Sequence, residues 1–545
     1  MTNQSALNPL TQIDFYKSGH IFQYPEGTEA VYSNLTARSD RLAPVLRSGL
    51  APFQGKVVFV GLQGFIKEFL IGAFNVGFFN LPKEQAVRQY QRRMDNALGP
   101  GAVPVDHIAD LHDLGYLPIR LKALPEGSRV NIKVPLLTLR ETNKKFAWVT
   151  NYLETVLSNF NWKPITVATI AYEYRRLLEA YAELTGADPA FIDWQAHDFS
   201  ARGMSGPEDS MRASFGHLCS FTGTDTVAAI DYAEAFYGAN SDSELVGGSV
   251  PATEHSVMSM GGKLDEISTF RRLITQVYPS GIVSIVADTW DFWQVITGYA
   301  NALKGEILAR TPNGLGQAKV VFRPDSGDPV KILAGYTYVE VDDVTQGVCR
   351  SAHGQGYEAI LSKRDGKFYR MNDGYLAEVP RHEVKGAVEC LWDIFGGTVT
   401  SKGYRVLNER VGLIYGDSIT LERAQQILER LKNKGFASTN CVFGVGSYSY
   451  QYLTRDSFGM AMKATWGMVN GEARELSKDP KTDSGTKKSA VGLLRVEREG
   501  DDYVLYDRQT VEQEGQGRLE DVFVDGVLVR EQSLADIRAR LRNGG

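Results

Sequence analysis

The segment KVVFRPDSGD, residues 319–328, is a short apolar run that ends abruptly in charged and polar residues. Its first half has the length and the β-branched composition of a buried strand. Four comparable runs are HLCSF (217–221), GIVSIVAD (281–288), VGLIYGD (411–417) and CVFGVGS (441–447). Because helical segments alternate with these runs, we predict an α/β fold with a parallel sheet or barrel.

The residues that follow these runs are polar or glycine-rich. In α/β barrels the loops after the strands build the active site, so many such ends indicate one site assembled from several strands. Each loop taken singly is also explained by helix caps and turns, which favour Asp, Ser and Gly. The strand ends concerned are Phe221-Thr-Gly-Thr-Asp225, Asp288, Arg323-Pro-Asp-Ser-Gly-Asp328, Gly416-Asp417 and Gly444-Val-Gly446-Ser447.

The composition is that of an ordinary globular protein, with 545 residues, 43% hydrophobic residues and a net charge of −6. The acidic balance argues against a nucleic-acid partner. Four cysteines without metal spacing, and a start that lacks a signal-peptide pattern, predict a cytoplasmic protein with reduced thiols. The most apolar stretch, residues 57–79, contains Lys67 and Glu68, so we predict a buried helix rather than a membrane span.

Outside the predicted barrel, three stretches have a different character. Residues 1–50 show little periodicity and are predicted to wrap over another surface. A β-rich insertion is predicted at about 330–392, with Arg-Asp-Gly at a hairpin turn. Near the C-terminus, the sequence predicts a hairpin around Glu499-Gly-Asp-Asp502 and a terminal helix with a serine cap.

Two segments carry the strongest candidates for chemistry. His255 lies beside Glu254 in a loop rich in Gly and Pro, where a histidine can act as an acid, a base or a phosphoryl acceptor. Arg323 offers a planar donor fork for phosphates or an amide carbonyl, and Asp325 can bind sugar hydroxyls or Mg²⁺. A core histidine and a salt-bridged turn are the alternative interpretations of these segments.

Further candidates are weaker when taken alone. The Gly444–Ser447 loop lets backbone N–H groups approach a phosphate, although it matches neither common nucleotide motif. Phe199 can stack on an aromatic ring, and Arg202 can hold a phosphate. A downstream group of cations suits a polyanionic ligand or a solvated basic face: Arg455, Lys463, Lys478, Lys487 and Lys488.

Eight motifs follow one another along the chain: Asp14-Phe-Tyr16-Lys-Ser-Gly-His20, Gln23-Tyr-Pro25, His197-Asp-Phe199, Gly223-Thr-Asp225-Thr, Pro251-Ala-Thr-Glu-His255-Ser, Arg323-Pro-Asp-Ser-Gly327, Gly416-Asp417 and Leu453-Thr-Arg455-Asp. In this order they closely resemble the nicotinamide phosphoribosyltransferases, which are type II phosphoribosyltransferases. The resemblance runs from about residue 8 to the C-terminus and leaves the insertion aside.

The resemblance implies an incomplete (β/α) barrel of the type II phosphoribosyltransferase kind, plus a β-rich domain formed by N- and C-terminal segments. It divides the chain into an N-terminal wrapping and β-rich region (1–165), a catalytic barrel with the insertion (166–450) and a completing C-terminal segment (451–545). It also implies a homodimer with shared active sites, and no nucleic-acid or membrane partner.

Roles for the aromatic end of the site follow from the resemblance. Phe199 and Tyr16 of the partner subunit would sandwich the pyridine ring. Asp225 would accept a hydrogen bond from the carboxamide of nicotinamide and would repel the carboxylate of nicotinate. Arg323 would bind near the amide carbonyl.

Roles for the sugar-phosphate end follow in the same way. Asp325, Gly416 and Asp417 would hold the ribose hydroxyls of phosphoribosyl pyrophosphate. The 5′-phosphate would lie against Gly446 and Ser447, with Arg202 and Arg455 nearby. Arg38 of the partner subunit, Lys463 and Lys478 would neutralise pyrophosphate, and Lys487 would bind a phosphate or ATP. Ser284 and Asp288 would lie near His255 and the metal.

The chemistry implied is displacement of pyrophosphate at the anomeric carbon by the pyridine nitrogen, which feeds NAD synthesis. Mg²⁺ would be held by Asp288 and Asp325. ATP would phosphorylate His255 and so drive the reaction, which makes these three residues the expected catalytic set.

The sequence departs from the family pattern in two places, and two rival functions remain open. Ser447 and Tyr448 replace glycines that are frequent in the family's loop, and the insertion lengthens the span before Gly416. A nicotinate phosphoribosyltransferase would share the fold and reaction, but Asp225 favours the amide. A binding protein that has lost catalysis is disfavoured because the candidate catalytic residues are retained.

Overall fold

The computed structural model describes residues 7–416, 418–477 and 490–545. Within these ranges a sheet of five parallel strands forms the centre of the molecule. We number the strands in chain order, and their spatial order is β1-β5-β4-β3-β2. The strands are β1 Ala196–Asp198, β2 Val283–Val286, β3 Val320–Arg323, β4 Val411–Tyr415 and β5 Val442–Val445.

The two edges of this sheet are joined by irregular segments rather than by full strands. Isolated parallel bridges continue the hydrogen bonding from β1 through residues 223–224 and 248–252 to β2. The bridged pairs are Asp198 with Thr224, Gly223 with Gly248, and Ala252 with Ser284. The mixed α/β architecture with an incomplete (β/α) barrel is therefore confirmed.

One predicted strand is wrong. Residues 217–221 do not form a strand, because the helix Pro207–Leu218 extends into this run and a turn follows it. Every residue from 213 to 218 is buried, so the second half of this helix is enclosed on all sides. The strand that occupies the place in the sheet is β1, which carries the His197-Asp198-Phe199 motif at its end.

The long helix Glu154–Thr185 packs against the helix Pro207–Leu218 on the outside of the barrel. A Cβ at Gly216 would lie 2.8 Å from the carbonyl oxygen of Pro164, so glycine permits this close approach. Among the described residues, the other helices of at least six residues are Lys83–Leu98, Asp106–Leu114, Val227–Tyr237, His255–Met260, Glu266–Arg272, Pro329–Ala334, Gln346–Gly354, Ala387–Phe395, Leu421–Asn433 and Leu534–Arg542, and the π-helical segments Ile66–Ala73 and Gln294–Tyr299.

A second, antiparallel sheet draws its strands from both ends of the chain. Among the described residues it contains seven strands, and Thr28–Thr36 lies between Ala461–Val469 and Pro135–Glu141. The predicted β-rich domain formed by N- and C-terminal segments is thus confirmed. In spatial order its strands are Glu472–Glu475, Ala461–Val469, Thr28–Thr36, Pro135–Glu141, Ile119–Ala123, Glu520–Val524 and Val527–Leu528.

The remaining strands form small sheets. The predicted C-terminal hairpin pairs Leu493–Glu499 with Asp502–Gln509, and Ser533 caps the last helix as expected. No helix in the described part of the chain is both long and apolar enough to cross a membrane. Within residues 330–392 the strands are Tyr338–Val341, Ala359–Ser362, Phe368–Asn372 and Tyr375–Val379; elsewhere Gly397–Val399 pairs with Arg405–Leu407, and Lys56–Val58 with Arg129–Asn131.

Candidate active site at the ends of the parallel strands

A half-exposed carboxylate, that of Asp225, marks one side of the site. Its Oδ1 lies 2.9 Å from His197 Nε2 and accepts a 2.6 Å hydrogen bond from the Ser249 hydroxyl. Burial alone would raise the pKa of Asp225, but these two hydrogen bonds and the nearby charge of Arg323 together hold the pKa below its usual value. The group is therefore an anion at neutral pH, with one oxygen already engaged.

A cavity of about 560 Å³ opens beside this carboxylate and extends along the inside of the barrel. Phe199, Asp225, Arg323 and Ser284 line its end near the carboxyl ends of the strands. Arg323 lies at the end of β3 and donates to the carbonyl oxygen of Thr253. Within this one cavity, a flat aromatic ligand with an amide group would meet an aromatic face, a carboxylate and a guanidinium.

His255, Asp288 and Asp325 form a second cluster, from three different segments. His255 Nε2 lies 3.8 Å from Asp288 Oδ1 and 3.6 Å from Asp325 Oδ2, while its Nδ1 lies 3.1 Å from the Thr289 hydroxyl. The side chain of Asp288 is buried and that of His255 is half-exposed. An accessible imidazole held between carboxylates suits proton or phosphoryl transfer.

Asp288 also holds the loop after β3. Its Oδ2 accepts hydrogen bonds from the backbone N–H groups of Asp325 and Ser326, at 2.9 and 2.8 Å, and from the Ser326 hydroxyl at 2.5 Å. Three donors on one oxygen fix the Arg323–Ser326 turn relative to β2. Asp288 Oδ1 is buried and accepts no hydrogen bond from a described residue. This oxygen lies on the side of His255, where it is available to a cation.

Gly416 follows β4 and lies directly against this loop. A Cβ at this position would be 2.9 Å from Asp325 Cγ and closer still to Oδ1. Only glycine therefore lets β4 pass beside the Asp325 carboxylate in this arrangement. Asp417, predicted to act with Gly416, lies outside the described residues.

The loop after β5 is packed onto the segment after β1. A Cβ at Gly203 would lie 2.5 Å from that of Ser447, and the Phe199 amide donates to the Val445 carbonyl. Arg202, next to Gly203, is exposed. The structure thus brings together the predicted phosphate-binding groups Arg202, Gly446 and Ser447, next to the aromatic residue Phe199.

Of the predicted residues that the structure describes, only Phe199, Asp225, Ser284 and Arg323 line the cavity. Tyr16, Arg38, Arg455 and Lys463 do not line it, and neither do the residues of the phosphate loop and the acid–histidine cluster. Tyr16 is largely exposed on the N-terminal segment, and Lys463 is exposed on the antiparallel sheet. Arg38 donates to the Gly459 carbonyl at 3.0 Å, while Arg455 pairs with Asp456 at 3.4 Å. Lys478 and Lys487 lie outside the described residues.

Sequence reasoning missed groups that support the predicted ones. Ser249, which hydrogen-bonds to Asp225, belongs to a Gly-Gly-Ser loop whose turn character was its only signal. Asp198 is fully buried and accepts hydrogen bonds from the Thr224 and Thr226 hydroxyls at 2.9 and 3.0 Å. The position of Asp198 in the sequence, between a histidine and an aromatic residue, gave no indication that its carboxylate holds the loop of Thr224 and Thr226.

A barrel whose strand ends gather an acid–histidine cluster, a glycine loop and an aromatic cavity is the scaffold of an α/β-barrel enzyme. Residues 194–526 match the family model described as the nicotinate phosphoribosyltransferase (NAPRTase) family. The chain belongs to this family of phosphoribosyltransferases.

Relatives support this membership over almost the whole chain. A protein from Acinetobacter baylyi named nicotinamide phosphoribosyltransferase is 57% identical, covering 98% of this chain and 97% of the relative. A protein of the same name from Xanthomonas campestris is 30% identical over the same shares of both chains.

One solved structure supports the fold. The crystal structure of nicotinate-nucleotide pyrophosphorylase from Pyrococcus furiosus matches with a TM-score of 0.53 and 13% identity, covering 100% of this chain and 96% of that one. At this identity the match concerns the architecture alone.

Proposed function

We propose that this chain transfers the phosphoribosyl group of phosphoribosyl pyrophosphate to nicotinamide, giving nicotinamide mononucleotide and pyrophosphate. The observation that carries the proposal is the Asp225 carboxylate at the edge of an aromatic cavity. His197 and Ser249 occupy its Oδ1, and no described residue donates a hydrogen bond to its Oδ2. The shared name of the relatives from Acinetobacter baylyi and Xanthomonas campestris supports the same substrate.

The carboxylate distinguishes the amide from the acid by charge. Oδ2 can accept a hydrogen bond from the carboxamide NH₂ of nicotinamide. A nicotinate carboxylate in the same place has no proton to donate and carries like charge, so its approach is opposed. Phe199 would stack on the ring, together with Tyr16 of the partner subunit, and Arg323 would receive the amide carbonyl.

The transfer itself depends on position and charge. Asp325, Gly416 and Asp417 would hold the ribose hydroxyls, and the N–H groups at Gly446 and Ser447 would hold the 5′-phosphate with Arg202. With both substrates held, the ring nitrogen faces the anomeric carbon, which develops oxocarbenium character as pyrophosphate departs. Alignment and charge neutralisation then provide most of the rate enhancement.

The residues at the acid–histidine cluster fit Mg²⁺. Asp288 Oδ1 is buried without a described hydrogen-bond donor, and Asp325 supplies a second carboxylate close to it. Mg²⁺ is commonly held by one or two carboxylates together with substrate phosphates. When bound, the ion would neutralise the departing pyrophosphate. The protein's part is to hold the two carboxylates in place, through the donors from Ser326 and the Asp325 backbone.

Product formation with either base tests the proposed function. The purified protein is incubated with phosphoribosyl pyrophosphate, Mg²⁺ and nicotinamide or nicotinate, and the mononucleotides are separated and quantified. We expect nicotinamide mononucleotide, with nicotinate disfavoured by several orders of magnitude, about 10⁴. Product from nicotinate alone would contradict the substrate assignment. No product from either base would contradict the transferase activity.

We further propose that an imidazole nitrogen of His255 takes the γ-phosphoryl group of ATP, with release of ADP, and that this phosphorylation drives the reaction in the direction of NAD synthesis. The support is geometric: Thr289 engages Nδ1, and the side chain is half-exposed between two carboxylates. With a phosphoryl group, His255 would add anionic oxygens beside Asp288 and Asp325, where Mg²⁺ and pyrophosphate would be held.

His255→Ala is expected to abolish stimulation of nicotinamide mononucleotide formation by ATP, while slower basal transfer remains. The reason is that alanine removes the proposed phosphoryl acceptor without touching the aromatic cavity. Initial rates with and without ATP measure the effect, and acid-labile ³²P on the protein measures phosphorylation. The matched control is His353→Ala, at an exposed histidine of the insertion. Undiminished stimulation in His255→Ala would exclude the phosphohistidine role.

We also propose a cytoplasmic homodimer with shared sites. Tyr16 and Arg38, which the family pattern assigns to the partner's site, do not line the cavity of their own subunit. Lys463, Lys478 and Lys487 would help to neutralise pyrophosphate or ATP, and Ser284 would lie near His255 and the metal. Sedimentation velocity tests the dimer, and a purely monomeric active enzyme would contradict it.

A further inference from the structure

A chain of buried hydrogen bonds connects two loops of the proposed site. The Tyr450 hydroxyl lies 2.7 Å from His217 Nδ1, and His217 Nε2 lies 3.0 Å from the carbonyl oxygen of Gly223. Both side chains are completely buried. The two residues are far apart in the sequence, so the contact is a feature of the tertiary fold alone.

The direction of both hydrogen bonds is determined by chemistry. Burial lowers the pKa of His217 to about 4, so the imidazole is neutral at physiological pH and carries a single N–H. The Gly223 carbonyl can only accept, so Nε2 carries the proton. Nδ1 is then an acceptor, and the Tyr450 hydroxyl donates to it. Every polar atom of the pair therefore has one defined partner.

The two ends of this chain lie at different parts of the site. Tyr450 is the last residue of the short helix Ser447–Tyr450, which starts directly after Gly446. Gly223 precedes Asp225 by two residues, and its carbonyl also accepts from the Asp198 amide at 3.1 Å. The buried pair therefore links the Gly446–Ser447 loop to the loop that carries Asp225.

The same short helix has a second connection. The Ser449 hydroxyl lies 2.8 Å from the Tyr174 hydroxyl, which donates to the Ile419 carbonyl at 2.6 Å. Ile419 lies three residues after Gly416, so this branch leads to the ribose side of the site. The helix Ser447–Tyr450 therefore contacts, through buried tyrosines, the segments that face both halves of the substrate pair.

We propose that Tyr450 and His217 are positioning residues that couple binding of a sugar phosphate at Gly446–Ser447 to recognition of the nicotinamide amide by Asp225. The proposal rests on the proposed function, since it uses the substrate positions assigned there. Neither side chain touches substrate. The pair holds the Asp225 loop in the position that it has when the phosphate loop is occupied. Binding of each ligand therefore favours binding of the other.

Tyr450→Phe removes the hydroxyl and keeps the ring. The probe is ribose 5-phosphate, and the affinity for nicotinamide is measured by calorimetry in its absence and at saturation. We expect at least about fivefold tighter binding with ribose 5-phosphate in the wild type, and less than about twofold in Tyr450→Phe. In steady state the variant should show a raised KM for nicotinamide and, because the coupling is reciprocal, a raised KM for phosphoribosyl pyrophosphate at saturating nicotinamide, with kcat nearly unchanged.

Tyr152→Phe is the matched control. Tyr152 is equally buried, and its hydroxyl donates to the Leu10 carbonyl at 2.6 Å, far from the loop of Asp225 in the sequence. It should lose similar thermal stability yet retain wild-type coupling. Coupling preserved in Tyr450→Phe, or lost equally in Tyr152→Phe, would overturn the proposal.

The wild type gives an independent measurement if Tyr450→Phe does not fold. Ribose 5-phosphate should slow amide hydrogen exchange in residues 222–226, and unchanged exchange there would also overturn the proposal. The two levels of inference fail separately. A wild type that makes no nicotinamide mononucleotide contradicts the proposed function, whereas an active wild type without coupling contradicts only the roles of Tyr450 and His217.

Discussion

Asp225→Asn is expected to reduce the preference for nicotinamide over nicotinate by about 100-fold or more. Asparagine can still accept from Ser249 with its oxygen, which turns its NH₂ group to the side where Oδ2 stood. That group repels the donor of the nicotinamide amide and attracts the carboxylate of nicotinate. The kcat/KM for nicotinamide should therefore fall while the kcat/KM for nicotinate rises.

The ratio of the two kcat/KM values is the measurement, taken under identical phosphoribosyl pyrophosphate and Mg²⁺ concentrations. Asp231→Asn is the matched control, since Asp231 is exposed on the adjacent helix Val227–Tyr237 and makes the same charge change. It should leave the ratio unaltered. An unchanged ratio in Asp225→Asn would place base recognition elsewhere in the cavity.

Gly416→Ala is expected to lower kcat/KM by at least about 100-fold without unfolding the protein. The added methyl group would overlap with the Asp325 carboxylate, so the Arg323–Ser326 loop must shift. A displacement of about 1 Å in a group that aligns a reacting substrate costs this much. Steady-state kinetics and a thermal unfolding curve together separate loss of activity from loss of structure.

Gly305→Ala, in the helix Lys304–Leu308, is the control. A Cβ there would meet no heavy atom within 4 Å. Activity should therefore stay within about threefold of the wild type. Equal activity of Gly416→Ala and wild type would mean that Asp325 needs no fixed position.

The sequence allowed much of the barrel to be predicted, for a physical reason. Four core strands are apolar, β-branched runs that end at Asp or Gly, and these signals are local. The run 217–221 was misassigned because a short apolar stretch has the same appearance in a buried helix and a buried strand. Strand β1 has only three residues and ends in His197 and Asp198, so its composition gave no apolar signal.

The candidate site, like the barrel, could be predicted only where the sequence signals are local. Asp225, Arg323 and His255 stand at strand ends or in motifs, where position along the chain already indicates a role. Tyr450 and His217 could not be paired from the sequence, because a buried hydrogen bond between distant segments leaves no periodic or compositional trace. The substrate and metal roles were predicted from the family resemblance, because no local pattern in the sequence specifies them.

The antiparallel sheet has a consequence for how the protein is made. Thr28–Thr36 leaves the ribosome early, yet its partner Ala461–Val469 emerges only after the whole barrel has been synthesised. Until then one edge of that strand has unpaired N–H and C=O groups that can recruit strands from other chains. We expect nascent chains stalled within the barrel to aggregate, and yields of recombinant protein to rise with slower translation or added chaperones.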